Sequence, residues 1–420
     1  MDAAGMTQTR SAALFERMAG LLPGGNTRAT TWYPPFPVAL AGGHGARVVD
    51  VDGNEYLDFL ANYTAMVHGH GFPPIVEALE RTARNGWSFP APSEDQAELA
   101  ARICARFGAI ERVRFTNSGT EAVMVAVRAA RAFTGRDVIV KAFGGYHGCW
   151  EQVAAGAGED PDARAELEPG IPAVVADLVL QVPYDDAGAL AATMAEHGDR
   201  VAAILLEPVL GHSIEPASPE YLHAARRIAD AHGALLILDE VITARLHTGG
   251  RQTQLGVTPD LTTLGKVIGG GVPIGGVGGR AEVMDVFDPR RDRFVEHHGT
   301  FNGNGLAMAA GCASLDALPA AEIDRIDLLG ARLADGLTAA LADAALPGRV
   351  TRVGSLLHVH LPLPELRALH AAALREGLYM APRGQMSIST PMDDELVDAG
   401  IAAFARAAQH VQHATGSPAP

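Results

Sequence analysis

The chain is an acidic protein of 420 residues, with 33 lysines and arginines against 49 aspartates and glutamates, and a formal net charge of −16. This length allows two or three domains and a large buried core. The charge excludes nucleic acid and anionic lipid as main partners, because both need an excess of basic side chains. The 47 glycines gather in clusters, which indicates backbone that comes close to another group.

The cysteines and the apolar pattern bear on the compartment. Cys104, Cys149 and Cys312 lie far apart and are odd in number, which favours a reducing compartment and predicts neither a disulfide framework nor a C-x-x-C site. The first ten residues lack the apolar core of a signal peptide, and no apolar run approaches the roughly 18 residues of a membrane span. We therefore expect a soluble, cytoplasmic protein that contacts no membrane.

The first hundred residues mix helical stretches with turns, and two short strands are predicted around the Asp-Gly-Asn turn at 52–54. From about residue 112, short apolar runs alternate with amphipathic segments of helix length, which predicts βαβ units and a mostly parallel sheet. The clearest predicted strands are Val113–Phe115, Val138–Val140, Val201–Leu206 and Ala234–Leu238. One predicted helix is capped by Ser218 and ended by Gly233.

In the C-terminal part, the sequence pattern predicts alanine-rich helices over 304–345, with an interruption near Pro319. An antiparallel strand region is predicted after them, over Val350–Leu361. We predict an α/β fold in which a large domain holds a mostly parallel sheet flanked by helices, and both chain ends build a small α+β domain. The expected bounds are 1–60 for the N-terminal part of the small domain, 61–320 for the large domain, 321–412 for the rest of the small domain and 413–420 for a flexible tail.

Four motifs follow predicted strands, where ligands of parallel sheets bind. The first, Thr116–Glu121, precedes an amphipathic helix and contains Ser118, Gly119 and Thr120. Small hydroxyl residues and glycine at a helix start expose backbone N–H groups beside the positive end of the helix dipole, which suits a phosphate. A plain N-cap with Glu121 as its capping-box partner explains these residues equally well.

The second motif, Gly144–Gly148, holds Tyr146 between glycines. An aromatic side chain there suits stacking on a flat ring, although an ordinary turn with a half-buried tyrosine is the commoner explanation.

The third motif places Asp239 at the end of a fully apolar strand, before Glu240 and Val241. A carboxylate there is unfavourable unless it is paired, and a protonated pyridine nitrogen would pair it. A metal ligand or a helix cap are the alternatives, but His247 has no second carboxylate–histidine group at ligand spacing.

The fourth motif places Lys266 between apolar residues and three glycines. A desolvated amine has a lowered pKa and becomes a nucleophile, as a Schiff base with an aldehyde requires. A Walker phosphate loop is excluded, because Asp260 and Val267 stand where that motif needs glycine and Ser or Thr.

A fifth pattern, Gly276–Ala281, fits the dinucleotide motif G-x-G-x-x-[GA], and Glu296 follows at the spacing of about 20 residues that this motif uses. Because glycine is abundant here and the pattern comes after Asp239 and Lys266, an NAD-dependent oxidoreductase is only a remote alternative.

The four motifs together fit one ligand, pyridoxal 5′-phosphate (PLP). Their order and spacing resemble the class III (ω-type) aminotransferases of PLP fold type I, over nearly the whole chain. The most specific matches are Ser118–Ala122, Asp239–Val241, Leu264–Lys266 and Gly299–Asn304.

This resemblance implies a role for each matching residue. Lys266 would form the Schiff base and move a proton, and Asp239 would keep the pyridine nitrogen protonated. The other implied cofactor-binding residues are Ser118, Gly119 and Thr120 at the phosphate, Tyr146 and Val241 on the two ring faces, Glu207 near a cofactor oxygen, and Thr300 at the phosphate of the neighbouring subunit. A homodimer with shared active sites is therefore implied.

Two subgroups look most similar: β-amino acid aminotransferases of the β-phenylalanine type and glutamate-1-semialdehyde 2,1-aminomutases. Arg28 and Arg383 depart from the aminomutase pattern and resemble carboxylate-binding arginines of the β-amino acid enzymes. Solvated surface positions are the alternative explanation for both arginines. An apolar side pocket is expected from Tyr33, Phe36 and Tyr63.

No metal site is predicted, because the histidine pairs at 68/70, 297/298 and 358/360 lack a cysteine or carboxylate at ligand spacing.

The motifs and the two arginines together predict a PLP-dependent aminotransferase that moves an amino group from a β-amino acid, aromatic ones included, to a 2-oxo acid acceptor. An aminomutase, which moves the amino group within one molecule, is the main alternative.

Overall fold

The computed structural model describes residues 9–154 and 169–415. Its helices are Thr9–Ala19 (α1), Pro73–Asn85 (α2), Glu94–Arg106 (α3), Gly119–Thr134 (α4), Glu151–Ala154 (α5), Ala173–Ala176 (α6), Ala187–His197 (α7), Pro219–His232 (α8), Gly250–Leu255 (α9), Ala281–Met284 (α10), Gly305–Asp316 (α11), Ala320–Asp343 (α12), Leu363–Arg375 (α13) and Asp394–Thr415 (α14). Short 3₁₀ helices span Pro23–Gly25, Ala29–Thr31, Lys266–Gly269 and Asp285–Phe287.

The strands are Leu40–His44 (β1), Arg47–Asp50 (β2), Glu55–Asp58 (β3), Arg112–Thr116 (β4), Val138–Ala142 (β5), Val179–Val182 (β6), Val201–Leu206 (β7), Leu235–Asp239 (β8), Leu261–Gly265 (β9), Gly275–Gly279 (β10), Arg349–Val353 (β11), Leu356–His360 (β12), Leu378–Tyr379 (β13) and Gln385–Ser387 (β14). The chain divides into a smaller unit, Met1–Pro73 with Asp324–Pro420, and a larger unit, Pro74–Ile323.

The larger unit contains a seven-stranded sheet in the order β4-β10-β9-β8-β7-β5-β6. β5, β6, β7, β8 and β9 pair in parallel, whereas β10 is antiparallel to both of its neighbours, β4 and β9. The predicted mostly parallel α/β sheet is therefore confirmed. The sequence alone did not indicate that β10 would reverse direction.

Both faces of this sheet are buried, which explains why its strands are almost continuously apolar. Ile139, Leu205 and Ile237 lie in a core cluster that includes one face of α4. Their sequence neighbours Val140, Leu206 and Leu238 lie in a second cluster, which includes residues of α7 and α8. Each such side chain contributes about 1.5–3 kcal/mol when it is fully buried. Two helical layers therefore cover the sheet and hold its edge in place.

The helix α8 shows how local sequence sets the element ends. The Ser218 hydroxyl accepts a hydrogen bond from the N–H of Tyr221 at 3.2 Å, and Gly233 closes the helix in the left-handed conformation with φ of 62°. The predicted cap and stop of this helix are both confirmed.

The smaller unit contains two sheets, β1-β2-β3-β13 and β11-β12-β14. Residues 61–73 belong to this unit, whereas the predicted large domain begins at residue 61. Two contacts explain their place: Gly45 and His70 form an antiparallel bridge, and the N–H of Thr390 donates to the carbonyl of Val67 at 2.7 Å. Helix α14 extends to Thr415, and residues 416–420 of the expected tail lie outside the described residues.

Within the described ranges, no single helix is long and apolar enough to cross a membrane. The consecutive helices α11 and α12 reach the necessary length and composition only as a pair, and the pair is bent by 77°.

Glycine in β10 lets this strand approach the start of α4, and this gives a test of the packing. A Cβ at Gly275 would clash with the backbone oxygen of Ser118, so we expect Gly275→Ala to lower the free energy of unfolding by about 1–3 kcal/mol. Gly276→Ala is the matched control in the same strand, because the nearest atom to its new Cβ lies at 3.5 Å. Urea unfolding of both variants measures the difference, and equal stability of the two would contradict this packing.

Candidate active site

The first part of the site is the junction of β4 and α4. Ser118 is the N-cap of α4, and its hydroxyl accepts a hydrogen bond from the N–H of Glu121 at 3.1 Å. The Glu121 carboxylate accepts the N–H of Asn117 at 2.7 Å. The N–H groups of Gly119 and Thr120 lie in the first helical turn, where no partner exists within the helix. These half-buried residues therefore form a positive helix end that suits a phosphate.

The loop after β5 packs against this helix end. Gly148 has a φ of 100°, and a Cβ there would lie 2.8 Å from the Cα of Thr120. Only glycine allows this close approach without strain. Tyr146, two residues earlier, has 59% of its surface exposed although it is a large aromatic residue. The loop therefore presents an uncovered aromatic ring next to the predicted phosphate site.

A buried pair of side chains lies at the end of β8. The Oδ2 atom of Asp239 lies 2.9 Å from Nδ1 of His147, and its Oδ1 atom accepts the N–H of Val241 at 3.1 Å. Both side chains are almost fully buried. Burial lowers the pKa of His147, so the ring is neutral at neutral pH and Nδ1 carries the hydrogen that it donates to the carboxylate. These two hydrogen bonds hold the Asp239 side chain in a defined orientation.

The role of His147 cannot be predicted from its local sequence. The residue lies in the motif that contains Tyr146, but a contact with Asp239 across 92 positions leaves no local signal. Within the described part of the chain, Nε2 of His147 is buried without a hydrogen-bond partner.

Lys266 follows β9 directly and has a φ of 50°, which is rare for a residue other than glycine. Burial lowers the pKa of its amine, the charges of Asp239 and Glu207 raise it and that of Arg245 lowers it, and together these effects bring the pKa to about 8. The Lys266 residue as a whole is half-buried, whereas its amine is buried, and this burial is the largest cause of the lowered pKa. The structure thus brings Lys266 into electrostatic contact with Asp239 and Glu207, at neighbouring strand ends.

Glu207 follows β7 and is only 4% exposed. Its two carboxylate oxygens accept the N–H groups of Tyr146 at 2.8 Å and Gly211 at 2.9 Å. Burial, with a smaller contribution from the charge of Asp239, raises the pKa of Glu207 to about 8. Below that pH the group is largely a neutral acid, which can donate a hydrogen bond to a nearby oxygen.

Val241 connects the helix end with the lysine strand. A Cβ at Gly119 would lie 3.0 Å from one methyl group of Val241, and a Cβ at Gly265 would lie 3.3 Å from the other. The two glycines therefore make room for the valine side chain. The structure brings Ser118, Gly119, Thr120, Tyr146, Glu207, Asp239, Val241 and Lys266 to one edge of the sheet in the larger unit.

Thr300 lies in the segment 297–304 of the same unit, and residues 298–301 of this segment are exposed. Two hydrogen bonds hold this segment: Asn117 Nδ2 donates to Asn302 Oδ1 at 2.8 Å, and Gln96 Nε2 donates to the carbonyl of Gly303 at 2.8 Å. The neighbouring Phe301 is 61% exposed. An ordered segment thus presents a hydroxyl group and an apolar ring to the outside of this unit.

The predicted substrate arginines both lie in the smaller unit and are exposed. Arg28 Nη1 donates to Asn62 Oδ1 at 2.8 Å. Arg383 lies at the tip of a turn closed by the N–H of Gly384 and the carbonyl of Ala381 at 2.9 Å. Both guanidinium charges act on the phenol of Tyr63, whose pKa is nevertheless raised by burial. Within the described residues, neither arginine forms an ion pair with a carboxylate.

The expected apolar side pocket is only partly assembled. Tyr63 lies with the two arginines, whereas Tyr33 packs edge-on against His370 at 4.5 Å between ring centres, and Phe36 stacks on Phe15 at 5.8 Å. These two aromatic residues are engaged in packing of the smaller unit.

The histidine pairs have ordinary structural partners. His70 Nε2 lies 2.7 Å from Asp58 Oδ2, His68 stacks on Phe72, and His358 packs against His360. Searched over the described ranges, no group of three His, Cys, Asp or Glu side chains has the arrangement of a metal site.

The dinucleotide pattern lies inside a strand. The glycines at 276, 278 and 279 are part of β10, which pairs with β4 and β9 on both sides. A dinucleotide motif needs these glycines in the turn between a strand and a helix, so the fold does not fit the NAD-dependent alternative.

Comparison with known proteins adds independent information. The model of the family Aminotransferase class-III matches residues 29–407. The chain is 40% identical to the β-phenylalanine transaminase of Variovorax paradoxus over 93% of this chain and 90% of that protein. It is 39% identical to a glutamate-1-semialdehyde 2,1-aminomutase of Methanothrix thermoacetophila, over 95% and 96% of the two chains.

Solved structures give the same picture. An ω-transaminase from Sphaerobacter thermophilus superposes with a TM-score of 0.93 at 40% identity, over 98% of this chain and 100% of that one. A transaminase with PLP bound superposes with a TM-score of 0.95 at 37% identity, over the same shares of the two chains.

The lowered pKa of Lys266 gives a test on the apoprotein. Only the neutral amine attacks an aldehyde, so we expect the rate of reaction with added PLP to rise with pH and to level off above about pH 8. An ordinary lysine would give a rate that keeps rising towards its pKa of 10.5. Stopped-flow absorbance in the near-visible range measures the rate, and Lys266→Ala is the control that should show no such phase. A rate that still rises above about pH 9 would contradict the assignment.

Proposed function

Because the chain belongs to the class III aminotransferases, we propose that it transfers the amino group of a β-amino acid, aromatic ones such as β-phenylalanine included, to a 2-oxo acid. The enzyme is a PLP-dependent transaminase with the fold of its structural neighbours. The observation that carries the proposed donor is the pair of arginines, Arg28 and Arg383, that lie near Tyr63 without a carboxylate partner among the described residues.

The residues of the larger unit fit PLP. When bound, PLP supplies an aldehyde and a ring that accepts electrons from the substrate. The start of α4 offers free N–H groups to a phosphate, and the exposed ring of Tyr146 offers a stacking surface. The buried carboxylate of Asp239 offers a negative charge to a protonated pyridine nitrogen. We assign these three contacts to the cofactor.

The side chains at the strand ends handle protons and charge. The Nζ atom of Lys266 would take a proton from the substrate carbon that bears the amino group and would deliver it to the former aldehyde carbon of PLP, because an amine with a pKa of about 8 is partly neutral at neutral pH. His147 keeps the side chain of Asp239 oriented. Glu207, as a buried acid, would donate a hydrogen bond to a cofactor oxygen. These roles are proposals for the residues named.

The two arginines suit substrates that carry a carboxylate. A guanidinium binds a carboxylate through two parallel hydrogen bonds, and both amino donor and 2-oxo acid bear that group. Arg28 uses one donor atom on the neutral Asn62, so its charge is not neutralised. We propose that Arg28 and Arg383 bind the carboxylates of the donor and the acceptor.

We further propose a homodimer in which Thr300 completes the site of the partner subunit. The ordered segment at 297–304, with exposed Thr300 and Phe301, supports this proposal. Light scattering should give twice the chain mass of 43.9 kDa, and a monomer with full activity would contradict the shared site.

Cys104, Cys149 and Cys312 are all free, which supports a reducing location such as the cytoplasm.

A panel of amino donors tests the proposed reaction. We expect β-phenylalanine and β-alanine to convert the cofactor and, with a 2-oxo acid present, to consume that acid. A simple arylalkylamine should react less well, because it has no carboxylate for the arginines. Consumption of the 2-oxo acid is followed by chromatography together with the absorbance of the cofactor.

The aminomutases are equally similar relatives and define the competing outcome. Glutamate-1-semialdehyde belongs in the panel for this reason. Its rearrangement to an isomer, with no 2-oxo acid consumed for any donor, would replace the transaminase proposal by an aminomutase activity.

Arginine variants on the same panel test the carboxylate contacts. A lost charge-assisted hydrogen bond is worth about 1.5–3 kcal/mol, so Arg28→Ala and Arg383→Ala should raise KM for carboxylated substrates by about 10–100-fold. The arylalkylamine should be affected by less than about threefold. Arg84→Ala is the matched control, since this side chain is 81% exposed on α2. Equal loss for acids and amines would remove the arginine as a carboxylate anchor.

A further inference from the structure

Four consecutive residues other than glycine have left-handed backbone conformations at 61–64. The φ values are 47° at Ala61, 48° at Asn62, 54° at Tyr63 and 73° at Thr64. L-residues disfavour this region because Cβ approaches the following carbonyl oxygen, and even asparagine usually adopts it singly. Such a run persists only where the surrounding structure enforces it, and backbone strain of this kind concentrates at functional sites.

Asp58 enforces the start of this left-handed turn. Its Oδ1 atom accepts the N–H groups of Leu60 and Ala61, both at 2.9 Å, and its Oδ2 atom lies 2.7 Å from His70 Nε2. The N–H of Met66 then donates to the carbonyl of Ala61 at 3.0 Å, which closes the turn. Asp58 is buried, so these contacts are shielded from water.

The left-handed turn holds the segment that carries Arg28. Asn62 Oδ1 accepts from Arg28 Nη1 at 2.8 Å, and the Tyr63 hydroxyl donates to the carbonyl of Thr30 at 2.7 Å. The backbone of Arg28 is held separately, because its N–H donates to Asn26 Oδ1 at 2.5 Å and its carbonyl accepts the N–H of Thr31 at 3.1 Å. Arg28 is therefore fixed at its backbone by one asparagine and at its guanidinium by another.

The chemical nature of Asn62 matters for this arrangement. An amide oxygen is a neutral acceptor, so it orients one N–H of the guanidinium without neutralising the positive charge. The remaining four N–H donors of Arg28 stay available for a carboxylate. An aspartate at the same place would accept the same hydrogen bond but would compete with the substrate for the charge. Asparagine and aspartate are also the residues that tolerate the left-handed region best after glycine.

We propose that Asn62 is a positioning residue that aims the charged guanidinium of Arg28 at the substrate carboxylate, and that the left-handed turn exists to present it. This inference rests on the proposed function, because it takes Arg28 as a carboxylate anchor. Asn62, a neutral side chain that need not touch the substrate, would then contribute to the preference for carboxylated substrates through Arg28.

Two variants that both accept a positive φ test the inference in the holoenzyme. Asn62→Asp should raise KM for β-phenylalanine by about tenfold, because its carboxylate occupies Arg28. Asn62→Gly keeps the turn but removes the hydrogen bond, and we expect a smaller increase of about threefold. In both variants kcat and KM for a simple arylalkylamine should stay within about twofold of the wild type. Asn85→Asp, an equal change of charge at the exposed end of α2, is the control.

The outcomes separate the possible failures. If Arg28→Ala raises KM for acids while Asn62→Asp and Asn62→Gly do not, the positioning role is wrong and the proposed function stands. If Arg28→Ala itself has no such effect, the carboxylate role of Arg28 fails first. If Asn62 has a purely structural role, its variants will have a lower melting temperature, and the kinetic constants for acids and amines will change by the same factor. That result also overturns the inference. The double variant with Arg28→Ala should show no further increase from Asn62→Asp, since the two residues act as a unit.

Discussion

Three ionisable side chains lie at one edge of the parallel sheet, which is covered by helices on both faces. The structure must compensate for placing charged groups there. Asp239 ends β8, and Glu207 and Lys266 directly follow the adjacent strands β7 and β9. Isolated charges in such a place are strongly unfavourable, so each group needs a partner or a shifted pKa. Asp239 has His147 and a backbone N–H, Glu207 has two backbone N–H groups, and the pKa of Lys266 falls to about 8. The resulting set combines a carboxylate, a neutral acid and a reactive amine.

Glycine gives this edge its shape. Gly119 and Gly265 leave room for Val241, Gly148 lets a loop touch Thr120, and Gly275 lets β10 approach Ser118. These are close backbone approaches of the kind that the glycine clusters indicated. The negative net charge of the whole chain does not conflict with an anionic ligand, because the field at a site depends on nearby groups. Here the nearby group is a helix start whose first N–H groups have no partner within the helix.

Similarity to known proteins identifies the chemistry more sharply than the substrate. A β-phenylalanine transaminase and glutamate-1-semialdehyde aminomutases are about equally similar to this chain, and both kinds of enzyme cover nearly its whole length. Overall identity therefore does not distinguish the two kinds of enzyme. The proposed carboxylate anchor Arg28 is held by Asn62, which lies on the left-handed turn at 61–64, and backbone strain of this kind concentrates at functional sites.

The sequence by itself determined the features that depend on neighbours along the chain. Apolar runs covered on both faces became β5, β7 and β8, Ser118 and Ser218 became N-caps, and the motif residues at strand ends pointed to PLP. Periodicity, capping and turn chemistry are local properties, so one chain suffices to recognise them.

Only the tertiary structure decided the features that join distant positions. The reversal of β10, the contact of His147 with Asp239 and the attachment of residues 61–73 to the smaller unit depend on partners far along the chain. The left-handed turn at 61–64 contradicts the local preference of its own residues. It forms because Asp58, His70 and the segment around Arg28 stabilise it together, and no local pattern encodes that combination.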